Sequence, residues 1–165
     1  MAAYAPIHRL NQKLASSRFG AWVFSKAQRP LDILVLKLTG RYTATSFLAG
    51  LPLIILEVRG AKTNKLRQVP LLCIESGAGD SEIALIASNW GQASYPAWYR
   101  NLKANPDAQG TIKGATRSYQ AHEAEGAEYA KYWQRAQDTY PGFAKYHKRI
   151  DGSRLIPIMV MRSAA

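Results

Sequence analysis

The chain has 165 residues, and its 22 Lys and Arg against 11 Asp and Glu give a net charge of +11 and an isoelectric point near 10.0. At 47% hydrophobic and 20% charged residues it has the composition of one globular domain with a core of its own, not of a disordered chain. One cysteine, Cys73, excludes an internal disulfide framework and a multi-cysteine metal site, and the longest apolar run, residues 51–56, falls far short of the ~18 residues of a membrane span.

The first ten residues lack a basic head followed by an apolar stretch, so no secretory signal is expected and a cytoplasmic location is. Residues 1–46 hold seven cations (Arg9, Lys13, Arg18, Lys26, Arg29, Lys37 and Arg41) against one acid, Asp32, a surplus of six. Ile7, Leu10, Leu14 and Ala21 recur at helical spacing, and Pro30 can open a second short helix over 31–38 that Gly40 can end. This segment is expected to be a basic helical arm. Two roles are open to it: a helix packed on the main domain with solvated cations, or peripheral contact with anionic lipid at the inner face of the cell membrane. Residues 47–165 form the second unit.

There the hydrophobic period shortens. Residues 53–58 and 66–75 read as two strands of a hairpin around the polar turn 60–65. A turn at 77–80 leads to a strand at 82–87, a polar loop at 88–94, and a short helix at 95–104 that Pro106 stops. Strands at 108–112 and 116–123 flank a Lys113-Gly114 turn. A helix follows over 126–139, stopped at Pro141, and a last strand over 155–161. Six mainly antiparallel strands with flanking helices predict an α+β domain built on a small barrel.

Two segments carry candidate chemistry. The turn between Arg59 and Arg67 holds Arg59, Lys62, Lys65 and Arg67 with no acid, so it offers backbone amides and cationic heads to an anion. It lacks the glycine pattern and following helix of a nucleotide-triphosphate loop. Ser88, Asn89, Trp90 and Gly91 are residues that let a flat ring approach the backbone at a strand end. Trp98, Leu102 and Cys73 read as core, and no metal site is expected. Nucleic acid is not an expected partner, because no recognition helix or aromatic–basic motif accompanies the charge.

Three strings together resemble the deazaflavin-dependent nitroreductase family. They are Gly60-x-Lys62-Thr63-x-x-x-Arg67-x-x-Pro70-Leu71, Ala87-Ser88-Asn89-x-Gly91, and Pro96-x-Trp98-Tyr99-x-Asn101-Leu102-x-Ala104-Asn105-Pro106. The resemblance runs from about Leu53 to Met161. It implies a flavin-type split β-barrel that binds coenzyme F-420, an 8-hydroxy-5-deazaflavin with an anionic phosphate and glutamate tail. It also implies that Lys62 and Arg67 hold the tail, with Lys65 added on charge and proximity, and that the ring lies against Ser88, Asn89, Trp90 and Gly91. Pro70 belongs to the same implied binding set. The chain departs from the family pattern in having Ala61 for an arginine, Asn64 for a glycine and Leu66 for a proline. Some members have a lysine at Asn89.

The implied reaction is hydride transfer from reduced F-420 to a quinone or another activated conjugated carbonyl or nitro compound. Tyr146 matches a tyrosine that lines the acceptor pocket of nitro-reducing relatives and is the expected catalytic residue. Phe143 replaces a second such tyrosine, which predicts weak reduction of bicyclic nitroimidazoles. His147 is a lesser candidate for proton donor. The alternative reading is a non-enzymatic carrier of a fatty acid or haem-type ligand in the same cleft.

Overall fold

The computed structural model describes residues 51–76 and 81–163. The expected arm at 1–46 and the turn at 77–80 lie outside the described residues. Six strands form a closed antiparallel barrel: β1 (Leu53–Arg59), β2 (Leu66–Glu75), β3 (Glu82–Ile86), β4 (Asp107–Ile112), β5 (Ala115–Glu123) and β6 (Ile158–Ser163). Around the wall they run β1-β2-β3-β6-β5-β4, and β4 pairs back to β1 through Ile55↔Thr111 and Glu57↔Gln109. Every strand has a neighbour on each side, although β3 pairs only with Cys73–Glu75 of β2. Among the described residues three α-helices accompany the barrel: α1 (Ala97–Ala104), α2 (Gly126–Thr139) and α3 (Gly142–Ile150).

Strand alternation fixes what faces inward. Ile54, Leu56 and Val58 of β1 meet Cys73, Ile83, Leu85, Tyr119, Met159 and Met161 in one buried cluster. Trp98 and Leu102, four residues apart on α1, belong to that cluster too, so α1 lies over one end of the barrel and plugs it. The outward residues Ala84, Ile86, Ile158 and Val160 are also buried, under Tyr132, Ala136, Phe143, Tyr146 and Ile150 of α2 and α3. Burial on both faces explains why β3 and β6 are near-continuous apolar runs rather than alternating ones.

The strands begin and end close to their expected positions, and α2 spans the expected residues. Three corrections have physical causes. The expected helix at 95–104 starts at Ala97, because Pro96 is extended (φ −65°, ψ 148°) and a residue before proline avoids the helical region. The last strand runs over Ile158–Ser163 rather than 155–161: Leu155 is 78% exposed and Pro157 has no N–H for the ladder. Helix α3 was not expected at all. Pro141, read only as a stop for α2, is also the N-cap of α3, a position next to the first turn where proline is tolerated.

A polar lattice ties α2 to the barrel. Tyr132 donates to Glu82, which also accepts from Arg162, while Arg162 reaches Glu128 and Glu128 meets His122. The Tyr132 hydrogen bond, then that from Arg162, holds the Glu82 carboxyl below its ordinary value of 4.5. A carboxylate pKa lowered by folding stabilises above about pH 4.5 and loses that contribution as pH falls through the folded value. Acid titration of the thermal midpoint is therefore expected to fall less steeply below pH 4.5 in Glu82→Gln than in the parent chain. Parallel curves would assign the acid limb to other groups.

Candidate functional site

Antiparallel order points the end of β3 toward the β1–β2 turn, but Leu85 pairs with Cys73, seven residues along β2 from Leu66; the turn itself lies beside α1. Arg59, Lys62, Lys65 and Arg67 are exposed there. The turn closes through Gly60 N–H to Lys65 O at 2.9 Å and Asn64 N–H to Gly60 O at 2.8 Å. A Cβ at Gly60 would sit 2.7 Å from Thr63 Oγ1 and 3.2 Å from Arg67 Nε, so glycine lets both side chains fold over the turn. Arg67 then donates to Thr63 Oγ1 at 3.5 Å, which links three residues of the first string. Asn64 has φ 54°, a left-handed conformation that asparagine tolerates nearly as glycine does, so this departure from the family pattern preserves the turn.

The third string supplies the attachment. Asn101 of α1 accepts from the Ala61 amide at 3.0 Å, and Asn105 donates to Arg59 O at 3.4 Å. At the helix's other side Lys103 and Tyr99 both donate to Glu123 of β5, at 2.8 and 3.0 Å. One short helix thus fixes the cationic turn and closes the barrel.

After β3 the chain makes a tight turn, Asn89–Gly91, with three successive left-handed residues: Asn89 at φ 46°, Trp90 at 58° and Gly91 at 76°. Glycine bears this freely, whereas a tryptophan costs roughly 1–2 kcal/mol there. The Asn89 side chain donates to Ser94 O and Ser94 Oγ at 2.9 and 3.2 Å, so it closes the loop on itself. A Cβ at Gly91 would press on Arg149 and on the Tyr146 backbone at 3.2 Å, which lets α3 pack directly behind the turn.

Two arginines that sequence reasoning missed hold this turn from behind. Arg154 donates to the carbonyls of Ala87 (3.2 Å), Ser88 (2.8 Å), Gln92 (3.1 Å) and Leu155 (2.8 Å), with its guanidinium 4.9 Å from the Tyr95 ring centroid. Arg149 reaches Trp90 O at 3.4 Å. Bonds of this charged type are worth about 1.5–3 kcal/mol each when well formed, enough to offset the strain of the turn.

Tyr146 lies against the turn: the Trp90 ring meets it edge-on at 6.0 Å. Its hydroxyl is 3.0 Å from that of Tyr140, and Phe143 packs against both rings. Burial raises both tyrosine pKa values, so the pair stays protonated. One O–H serves the contact between them, which leaves the pair a second.

Ser88, Asn89, Trp90, Gly91 and Tyr146 are thereby one cluster, and Lys62, Lys65 and Arg67 stand on the turn beside α1. Pro70 faces outward opposite Ile55, on β2 between that turn and Cys73, which pairs with Leu85 near the end of β3. His147 is exposed beside Trp133. An open groove of about 540 Å³ crosses the outer wall past Glu57, Arg59, Leu66, Gln109, Gln120 and Arg162. Among the described residues, no group of three His, Cys, Asp or Glu could hold a metal ion, and no helix is long and apolar enough to cross a membrane.

Comparison with known proteins gives one consistent answer. A family model described as F420H(2)-dependent quinone reductase matches residues 34–163. The F420H(2)-dependent quinone reductase Rv1261c of Mycobacterium tuberculosis is 32% identical over 116 residues, covering 67% of this chain and 72% of that protein. A second protein of that organism, Rv3178, named provisionally for the same activity, is 34% identical over 116 residues and is covered to 93% of its length. A solved F420-H2 dependent reductase (FDR-A) superposes with a TM-score of 0.60 at 34% identity, covering 67% of this chain and 94% of that one. A haem-binding protein of Mycobacterium smegmatis, at 20% identity and a TM-score of 0.53, shares the fold.

Proposed function

This chain belongs to the F420H(2)-dependent quinone reductase family, and from that membership we propose that it passes hydride from reduced coenzyme F-420 to a quinone at the α1 end of its barrel. The observation that supports the site is that α1 fixes the exposed cationic turn through the Asn101–Ala61 bond, while the strained Asn89–Gly91 turn lies between the end of β3 and that same helix in the chain. Exposed, acid-free cations suit a tail of phosphate and carboxylates. A turn whose carbonyls are taken from behind suits a flat, polar-edged ring in front.

In this reading Lys62, Lys65 and Arg67 hold the tail, and Ser88, Asn89, Trp90 and Gly91 meet the ring through main chain and indole. When bound, the reduced deazaflavin supplies a hydride to an electron-poor acceptor. The chain's own task is to orient that acceptor and donate hydrogen bonds to the oxygen that gains charge. The hydroxyl pair Tyr140–Tyr146 is our choice for that donor, because Tyr146 meets the Trp90 ring edge-on and the pair has a second O–H beyond the one spent between them. Tyr146→Phe is expected to lower kcat about tenfold while F-420 affinity stays within twofold; equal kcat in the two proteins would remove Tyr146 from the reaction. Phe143 offers no hydroxyl, so bicyclic nitroimidazoles are expected to turn over far more slowly than quinones, and comparable rates would refute that selectivity.

Titration with F-420, followed by quinone addition to the reduced coenzyme, tests the whole reading. Saturable binding and quinone-dependent regain of the coenzyme's visible absorbance are expected; failure to bind would end it. A carrier of a hydrophobic ligand in the same cleft would instead show no quinone-dependent oxidation of the reduced coenzyme. Delivery of a membrane quinone falls, in this proposal, to the basic residues 1–46. Loss of liposome co-sedimentation on deleting them is the expected result.

A further inference from the structure

Arg154 stands outside every sequence string, yet it bonds residues on both sides of the Asn89–Gly91 turn. Its fork spans the turn: Nη1 and Nη2 take the carbonyls of Ala87 and Ser88 on the entering side, and Nε takes that of Gln92 on the leaving side. A fourth bond, Nη1 to Leu155 O at 2.8 Å, anchors it to the segment leading into β6. The Tyr95 ring at 4.9 Å fixes the plane of the guanidinium. Only a rigid, planar group with five donors can bind carbonyls on both sides of one turn; an ammonium is a single point of charge.

The held conformation is one the chain would otherwise leave. Asn89 and Trp90 are non-glycine residues at positive φ, and such strain persists only where the surroundings over-determine it. Because a trans peptide sets N–H opposite C=O, fixing the Ser88 carbonyl toward Arg154 turns the Asn89 amide to the other side, away from the guanidinium.

We propose that Arg154 is a positioning residue for cofactor binding: by taking the Ala87, Ser88 and Gln92 carbonyls it holds the turn so that the Asn89 amide faces the deazaflavin ring. This rests on the proposed function, and it concerns the ring alone. Arg154 makes no contribution to the tail, which lies with the β1–β2 turn.

The experiment compares Arg154→Lys with the parent chain against two probes, intact F-420 and the same deazaflavin without its phosphate and glutamate tail. Hydrogen exchange is followed at residues 87–92 and across β3 and β6. The expected result is a rise in Kd of about tenfold for both probes by the same factor, with faster exchange confined to 87–92. A Kd unchanged for both probes, or raised only for the tailed one, would overturn the proposal. So would exchange that quickens throughout β3 and β6, since Arg154 would then support the fold at large. A parent chain that binds neither probe refutes the deazaflavin reading instead, and local against global exchange still decides whether Arg154 holds the turn.

Discussion

Replacing Lys62 and Arg67 together by alanine is expected to weaken F-420 binding about a hundredfold, roughly tenfold for each, while kcat at saturation is unchanged. The estimate starts from the ~1.5–3 kcal/mol of a well-formed bond between charged groups and discounts it because both side chains are solvent-exposed. About 1.4 kcal/mol per residue then gives a tenfold step each. Both cations stand on the hairpin, away from the proposed ring-binding turn, so they bind ground state and transition state alike; such a loss raises KM and spares kcat. Three further results follow from the same cause. The tail-less deazaflavin should bind the double variant as it binds the parent. Affinity for intact F-420 should fall with added salt in the parent and much less in the variant. The thermal midpoint should hardly move, since exposed side chains away from the core contribute little to stability. Asn101→Ala should reproduce part of the loss, because it releases the Ala61 amide that keeps the turn in place. Equal weakening of the tailed and tail-less probes would show that these cations serve the fold or the ring, not the tail.

The elements that could be read from the sequence are those whose cause is local. The β1–β2 hairpin declares itself by a polar, glycine-led turn between alternating strands, and α1 by Trp98 and Leu102 one turn apart. The cationic turn was visible for the same reason: charge is written in the residues themselves. Helix α3 carried a signal that went unread, since Phe143, Tyr146 and Ile150 repeat at helical spacing, but Pro141 concealed it by closing α2 and capping α3 together. Arg154 had no such signal. Its partners around the turn are carbonyls more than 60 residues away in sequence, and carbonyls belong to every residue type. The strain at Trp90 is equally hidden, because nothing in an Asn-Trp-Gly string requires positive φ at its first two positions. The residues proposed to meet a ligand were therefore readable, whereas those proposed to aim them were not.

Gly142→Ala is expected to destabilise the chain by about 1–3 kcal/mol and to lower kcat, and here two effects of opposite sign compete. Gly142 opens α3, and alanine is the better helix former by up to about 1 kcal/mol, which alone predicts a gain. The site forbids it: a Cβ at Gly142 would overlap the Tyr140 ring, and an aromatic ring cannot give way as the end of a flexible chain can. Overpacking of a rigid group costs about 1–3 kcal/mol and exceeds the propensity term. Displacing the Tyr140 ring also breaks its bond to Tyr146, so acceptor turnover should fall while F-420 binding, which depends on other residues, is retained. A double-mutant cycle separates the terms. With Tyr140→Ala already in place the ring is gone, and adding Gly142→Ala should then be neutral or stabilising, because only helix propensity remains. Thermal or denaturant unfolding of the four proteins measures this directly. A cost of the same size with and without the ring would show that Gly142 is required by its backbone and not by the tyrosine above it.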